Sequence, residues 1–111
     1  MSFIATQNKG FRMKFDNGFE ISVQWGTMNY CEKKNLMAEY KDEMKEPIWE
    51  SKSAEIAVFN DEGMVPIGGD DQVIGWLTPN EVAKIIAIVA AAINAKEFEG
   101  EIQRKIKDLR I

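Results

Sequence analysis

The chain has 111 residues, a formal net charge of −4, one cysteine and no histidine. Its length fits one domain over residues 1–111, and the missing histidine excludes Ser-His and Cys-His nucleophiles, imidazole acid–base catalysis and nearly every zinc site. Cys31, the single cysteine, cannot form an internal disulfide, which is typical of proteins from a reducing compartment.

Residues 11–25 predict a β-hairpin with one buried face. Apolar residues occupy the odd positions and polar residues lie between them, which is the period-two pattern of a half-buried sheet. A three-residue turn over 16–18 pairs Phe15 with Phe19 and keeps the two faces consistent, whereas a two-residue turn would place apolar residues opposite polar ones. Residues 3–6 are predicted to add a short edge strand.

Two interpretations of residues 33–52 stay open. Leu36, Tyr40 and Met44 recur at a spacing of four, which favours a short amphipathic helix that Pro47 would end. The alternative is a charged, flexible excursion from the domain.

The second half of the chain predicts further strands and one or two helices. Residues 54–60 and 64–67 form a second hairpin whose turn, 61–63, repeats the turn chemistry of the first, and residues 72–77 form a last short strand. We therefore predict an α+β fold in which an antiparallel meander of four or five strands is followed by one or two C-terminal helices packed on one face.

The first of these helices has a start signal in the sequence. Thr78 is predicted to cap it, Pro79 to take the first helical position and Glu81 to complete a capping box. The helix is expected to run to about Ala95. Its predicted buried stripe consists of Val82, Ile85, Ile86, Val89 and Ile93. A further helical segment over 97–110 is either separate or the second part of one kinked helix.

The terminal segment, residues 96–111, is predicted either to pack beside the first helix or to form a homo-oligomer interface. Its apolar residues recur at helical spacing on one face, and a monomer must cover such a stripe or a partner must do so. The predicted interface residues are Phe98, Ile102, Ile106 and Leu109.

The loop after the first hairpin is the predicted binding surface, because loops held by rigid strands commonly carry binding residues. The predicted binding residues are Thr27, Asn29 and Tyr30, together with Trp49 from a later loop. Trp49 is either an exposed aromatic anchor or tucked against the domain. Trp25 is predicted to lie in the core, and Trp76 to fill the gap between sheet and helix.

The sequence shows no catalytic or metal-binding pattern. Cys31 has no histidine to make it a thiolate and is predicted to be an inert thiol, either buried or half-buried. Asp70 and Asp71 lack the alternating oxygen ligands of a calcium loop, and Gly68-Gly69 lacks the context of a phosphate loop. We therefore predict no catalytic residues, no metal and no cofactor.

The charge distribution and hydropathy predict the compartment and exclude some partners. Residues 53–82 contain six acidic residues and no Lys or Arg, which is unfavourable for nucleic-acid binding. No apolar run reaches the ~18–20 residues that span a bilayer, and residues 1–10 do not have the basic and then apolar pattern of a secretory signal. We expect a cytoplasmic protein that does not enter a membrane.

Two short motifs resemble a group of short proteins encoded by bacteriophages and prophage-bearing bacteria. They are a Val-x-Trp-Gly strand end followed by Asn-Tyr, and a Gly-Trp-x-x-Pro-x-Glu-Val helix start. The shared positions in this sequence are Val23, Trp25, Gly26, Asn29, Tyr30, Gly75, Trp76, Pro79, Glu81 and Val82. The motifs contain no catalytic residue. The resemblance implies a small phage-type accessory protein in the cytoplasm of a bacterial host.

These observations lead to a ranked set of functional hypotheses. We expect a non-enzymatic protein that acts by binding another protein, and the resemblance implies a bacterial host or defence factor as its target. The alternative is a small-ligand binder in which Tyr30, Trp49 and the cations Arg12, Lys33 and Lys34 hold a nucleotide-like molecule. A histidine-free enzyme that uses carboxylates ranks third.

Overall fold

Among the residues that the structure describes, the strands precede the helices. The structure, a computed structural model, describes residues 1–7, 9–34, 48–68, 72–94 and 99–109. The strands in this part of the chain are β1 (Ser2–Ala5), β2 (Gly10–Lys14), β3 (Glu20–Gln24), β4 (Ala54–Asn60), β5 (Gly63–Val65) and β6 (Val73–Leu77). The helices that follow are α1 (Pro79–Ala91) and α2 (Glu99–Leu109). The short helix predicted around Leu36, Tyr40 and Met44 falls outside the described residues.

The strands form one antiparallel sheet in the order β1-β2-β3-β4, and β5 and β6 share the far side of β4. β5 pairs with the C-terminal half of β4, where Val65 lies opposite Val58. β6 pairs with the N-terminal half, where Ile74 lies opposite Ile56. This sheet followed by helices confirms the predicted α+β fold, and none of the helices in the described residues is long and apolar enough to span a membrane.

The first hairpin has the predicted register. The Phe15 N–H donates to the Phe19 carbonyl at 2.9 Å, and Met13 lies opposite Ile21. Gly18 closes the turn with a φ of +94°, a left-handed value that favours glycine. The sheet consequently has a buried face, which carries the odd-numbered residues of this hairpin, and an open face on the other side.

The second hairpin has a shorter turn than predicted. Asn60 lies opposite Gly63, so two residues rather than three connect the strands. This register places Val65 directly opposite Val58 on the buried face, and both side chains are buried. A three-residue turn would instead oppose Val58 to Pro66, which has no N–H for the ladder.

α1 covers the buried face at β3 and β4. The Thr78 hydroxyl accepts from the Glu81 N–H at 3.3 Å and the Glu81 carboxylate accepts from the Thr78 N–H at 3.0 Å, which confirms the capping box. Val82, Ile85 and Val89 are buried as predicted. The helix ends earlier than expected, so the predicted burial of Ile93 is wrong: this side chain lies beyond the helix and is 74% exposed.

α2 packs against α1 and completes the core. Ile102 and Ile106 are 2% and 0% exposed, and Leu109 is partly buried against them. Of the two interpretations of this stripe, the structure shows packing beside the first helix, because the chain covers Ile102 and Ile106 with its own core. Phe98, the fourth predicted interface residue, lies outside the described residues.

Asn17, in the first hairpin turn, closes the C-terminal end of α1. Its Nδ2 donates to the carbonyls of Val89 at 2.8 Å and Ala92 at 2.9 Å, while its Oδ1 accepts from the Phe19 N–H at 3.0 Å. The last carbonyls of a helix have no partner within the helix. One side chain therefore shapes the turn and satisfies the end of the helix that covers the sheet.

We expect Asn17→Asp to lower the free energy of unfolding by about 1–3 kcal/mol. The substitution keeps the acceptor for Phe19, but it sets a carboxylate against carbonyls at the negative end of a helix dipole. Urea unfolding measures the change, with Asp16→Asn at the neighbouring exposed position as the matched control. Equal stability of the two variants would contradict the capping role of Asn17.

Candidate functional site

The loop of residues 26–34 leaves β3 and folds back on itself. The Asn29 side-chain oxygen accepts from the Gly26 N–H at 2.9 Å, and the Asn29 N–H donates to the Gly26 carbonyl at 3.1 Å. Thr27 is 1% exposed. Asn29 and Thr27, both predicted as binding residues, therefore shape the interior of the loop rather than its surface.

Glu55 on β4 fastens this loop to the open face of the sheet. Its carboxylate accepts from the Tyr30 N–H at 2.8 Å and from the Asn29 Nδ2 at 3.4 Å. Glu55 points to the open face because its neighbours Ala54 and Ile56 face the core. A single carboxylate thus positions the backbone from which the Tyr30 side chain projects.

A β-bulge in β6 contacts the other side of the loop. Ala54 pairs with Leu77 and Ile56 with Ile74, so Gly75 and Trp76 together oppose Glu55. The Trp76 N–H donates to the Tyr30 carbonyl at 2.8 Å.

Gly75 is required for this contact. A Cβ at position 75 would lie 2.4 Å from the Tyr30 Cβ and 2.7 Å from the Tyr30 carbonyl oxygen. No side chain fits in that space, so glycine allows the loop to reach the bulge.

The bulge turns Trp76 outward, which contradicts the prediction that this ring fills the gap between sheet and helix. Trp76 has a φ of +58°, and 56% of the residue is exposed. A left-handed conformation is unfavourable for a bulky side chain. The signal that could have located the bulge is the glycine inside the apolar strand pattern, immediately before the tryptophan.

The loop and the bulge expose three large apolar side chains, Met28, Tyr30 and Trp76, which are called here the Tyr30–Trp76 surface. These residues are 69%, 49% and 56% exposed. The Lys34 ammonium lies 4.6 Å from the centre of the Tyr30 ring, which adds a cation–π contact at its margin.

Trp49 is tied to Trp25 and is not a free anchor. The Trp25 indole N–H donates to the Trp49 carbonyl at 2.7 Å, and the Trp49 indole N–H donates to the Trp25 carbonyl at 3.1 Å. Trp49 is half-buried, with the Lys33 ammonium 5.4 Å from its ring centre. Of the two interpretations, the tucked one is confirmed, and Tyr30 is the predicted binding residue whose ring is well exposed.

Cys31 is buried within the same loop, as predicted. It is 0% exposed, and its thiol donates to the Gly26 carbonyl at 3.4 Å. Burial raises the pKa of the Cys31 thiol, because the thiolate would lose its hydration, and hydrogen bonds involving Lys33 and Ser51 oppose the shift only in part. The protonated thiol is a poor nucleophile.

Two cavities adjoin the strand that carries Trp76, since Leu77 lines one and Gly75 lines the other. One, of about 300 Å³, lies between the sheet and the start of α1 and is lined mainly by apolar side chains such as Trp25, Leu77 and Val82. The other, of about 740 Å³, lies between β6 and α2 and includes Arg104 and Lys107. Neither of these two linings contains a carboxylate, whereas a third cavity, of about 470 Å³, is lined by Glu20 and Asp61 together with Arg12. No cluster of three potential metal ligands occurs among the described residues.

Comparison with known proteins gives no family for this chain. No protein-family model, no curated protein and no solved structure matches it. Function is therefore inferred from the residues and their geometry.

We expect Gly75→Ala to lower the free energy of unfolding by roughly 1–3 kcal/mol, because the added methyl group overlaps Tyr30. The matched control is Gly100→Ala in α2, where an added Cβ meets nothing within 4 Å. That control should be neutral or up to about 1 kcal/mol more stable, since alanine favours helix. Urea unfolding compares them, and a neutral Gly75→Ala would contradict the close approach.

Burial of Cys31 predicts a loss of stability at alkaline pH. The unfolded thiol ionises at a lower pH than the buried one, so the free energy of unfolding falls as pH rises through the ordinary thiol pKa of about 8.5. The decline ends once the buried thiol ionises as well. Urea unfolding from neutral to alkaline pH should show this loss for the wild type relative to Cys31→Ala. Parallel profiles for the two proteins would contradict it.

Proposed function

We propose that this chain is a small non-enzymatic accessory protein that acts by binding another protein through the Tyr30–Trp76 surface. A bacterial host or defence factor is the proposed class of target. That part of the proposal rests on the resemblance of the hairpin end and the helix start to phage-encoded proteins.

The observation that carries the proposal is the outward position of Trp76. A left-handed backbone costs about 1–3 kcal/mol at a non-glycine residue and persists where the surrounding structure enforces it, often at functional positions. At Trp76 this conformational cost is combined with the exposure of a large apolar ring to solvent. Tryptophan and tyrosine are enriched among the residues that dominate binding energy, and methionine is enriched at interfaces generally.

The anchoring of the loop also supports binding. Tyr30 is held by its N–H to Glu55 and by its carbonyl to Trp76, so its backbone is fixed on both sides. A surface that is already ordered loses less conformational entropy when a partner binds. The lysine beside Tyr30 adds positive charge, which complements an acidic rim on the partner.

The small-ligand alternative has less support. The Lys34 and Lys33 contacts with Tyr30 and Trp49 are the aromatic and cationic pairs that it requires. Arg12, however, is paired with Glu20 and lies over Phe59. Glu55 holds the 26–34 loop, and Phe59 lies four residues further along β4, which is about 13 Å in an extended strand. Arg12 is therefore distant from the loop that would hold the ligand.

The proposal is tested by capturing partners from bacterial host lysate with the full chain, identifying them by mass spectrometry and measuring binding of a purified partner by calorimetry. We expect Trp76→Ala and Tyr30→Ala each to weaken binding by about 30-fold or more, the effect of losing about 2 kcal/mol at an interface hot spot. Removal of these rings should leave the fold intact because both project from the surface.

Ile93→Ala is the matched control, since Ile93 is an apolar side chain with comparable exposure outside this surface. It should bind the partner as the wild type does. Failure to recover a partner, or equal affinities of Trp76→Ala and Ile93→Ala, would overturn the proposal. A thermal shift with millimolar nucleotide would favour the ligand alternative instead.

A further inference from the structure

The outer edge of β1 carries backbone groups that pair with no described strand. The Thr6 N–H donates to the Gly10 carbonyl at 3.1 Å, so these two residues form a hydrogen-bonded pair at the end of the β1–β2 ladder. Such pairs alternate along antiparallel strands. The backbone of Ile4 therefore faces β2, and the N–H and carbonyl groups of Phe3 and Ala5 point outward.

β1 is short, at four residues, but it lacks the other features that prevent edge strands from associating. Phe3 is 80% exposed and Ile4 is 37% exposed, and the strand contains neither a charged residue nor a proline. Exposed apolar edges without such features are templates for pairing with another strand.

The other edges of the sheet are protected. β5 has three residues and is followed by Pro66, which cannot donate to a ladder. The outer edge of β6 is contacted by the 26–34 loop through the Trp76–Tyr30 hydrogen bond. β1 is thus the edge strand, among the described strands, in which every residue is exposed.

We propose that two copies of this chain pair through β1 in antiparallel orientation and form a two-fold dimer with one continuous sheet. In the proposed register, Phe3 lies opposite Ala5 of the second copy and Ile4 lies opposite Ile4 of the second copy. The outward groups of Phe3 and Ala5 then exchange hydrogen bonds in both directions. α1 packs on β3 and β4, which leaves room for the second copy beside β1.

A second copy fits this edge because each Phe3 lies opposite an Ala5 of the other copy in the proposed register. A two-fold axis perpendicular to the sheet keeps residues of the same face together, so the large Phe3 side chain lies beside the small Ala5 of its partner. The two Phe3 residues are diagonal neighbours at about 7–8 Å, within reach of aromatic side chains. The contact is small for a protein interface, so the dimer should dissociate on dilution.

The register is tested by disulfide formation in the Cys31→Ala background. Residues opposite each other in a non-hydrogen-bonded antiparallel pair have closely spaced Cβ atoms. We therefore expect Ile4→Cys to form covalent dimers about tenfold or more faster than Ser2→Cys under mild oxidation. Ser2 is on the same face of the same exposed strand, but its counterpart in the proposed dimer is Thr6.

Sedimentation velocity over a wide range of protein concentration tests the dimer without cross-linking. The wild type and Met64→Lys, which adds a charge to the other edge strand, should dimerise as concentration rises, and Phe3→Lys should remain monomeric. Ala5→Pro removes an outward N–H but no β1–β2 hydrogen bond, and it should also remain monomeric. It replaces Phe3→Lys in the test if that variant does not fold. A wild type that is monomeric throughout, with equal cross-linking of the two cysteine variants, would overturn the proposal.

Discussion

The apolar alternation of residues 11–25 is the constraint on which the remaining contacts depend. It gives the sheet one face that must be buried and another that need not be, because a strand directs successive side chains to opposite sides. α1 then has one surface to cover, and the hairpin turn meets the end of that helix, where Asn17 satisfies its last carbonyls. α2 completes the same core through Ile102 and Ile106.

The open face of the sheet is where the 26–34 loop is held. Since the helices occupy the other side, Glu55 is available to hold the 26–34 loop, and the bulge beside it projects Trp76 away from the core. An ordered loop and a strained strand residue thus place two exposed aromatic side chains on rigid supports. The proposed recognition of a protein surface rests on these two rings, whereas the thiol in the loop is buried and its pKa is raised.

Features encoded by neighbouring residues could be predicted, and features created by distant pairing could not. The alternation of apolar and polar residues predicted the register of the first hairpin, and the spacing of Thr78 and Glu81 predicted the capping box. Asn17, by contrast, meets a carbonyl 72 positions away. The orientation of Trp76 depends on how β6 pairs with β4. The apolar stripe of α2 was recognisable, but a stripe does not reveal whether the chain itself or a partner covers it.

The central claim is that the 26–34 loop rests on the bulge at Gly75 and Trp76 and so presents the two aromatic rings. Nuclear Overhauser contacts between the Gly75 Hα and Tyr30 Hβ protons test this placement most directly. The structure predicts strong contacts together with a slowly exchanging Trp76 amide, because that N–H bonds to the Tyr30 carbonyl. Missing contacts and a freely exchanging Trp76 amide would contradict it.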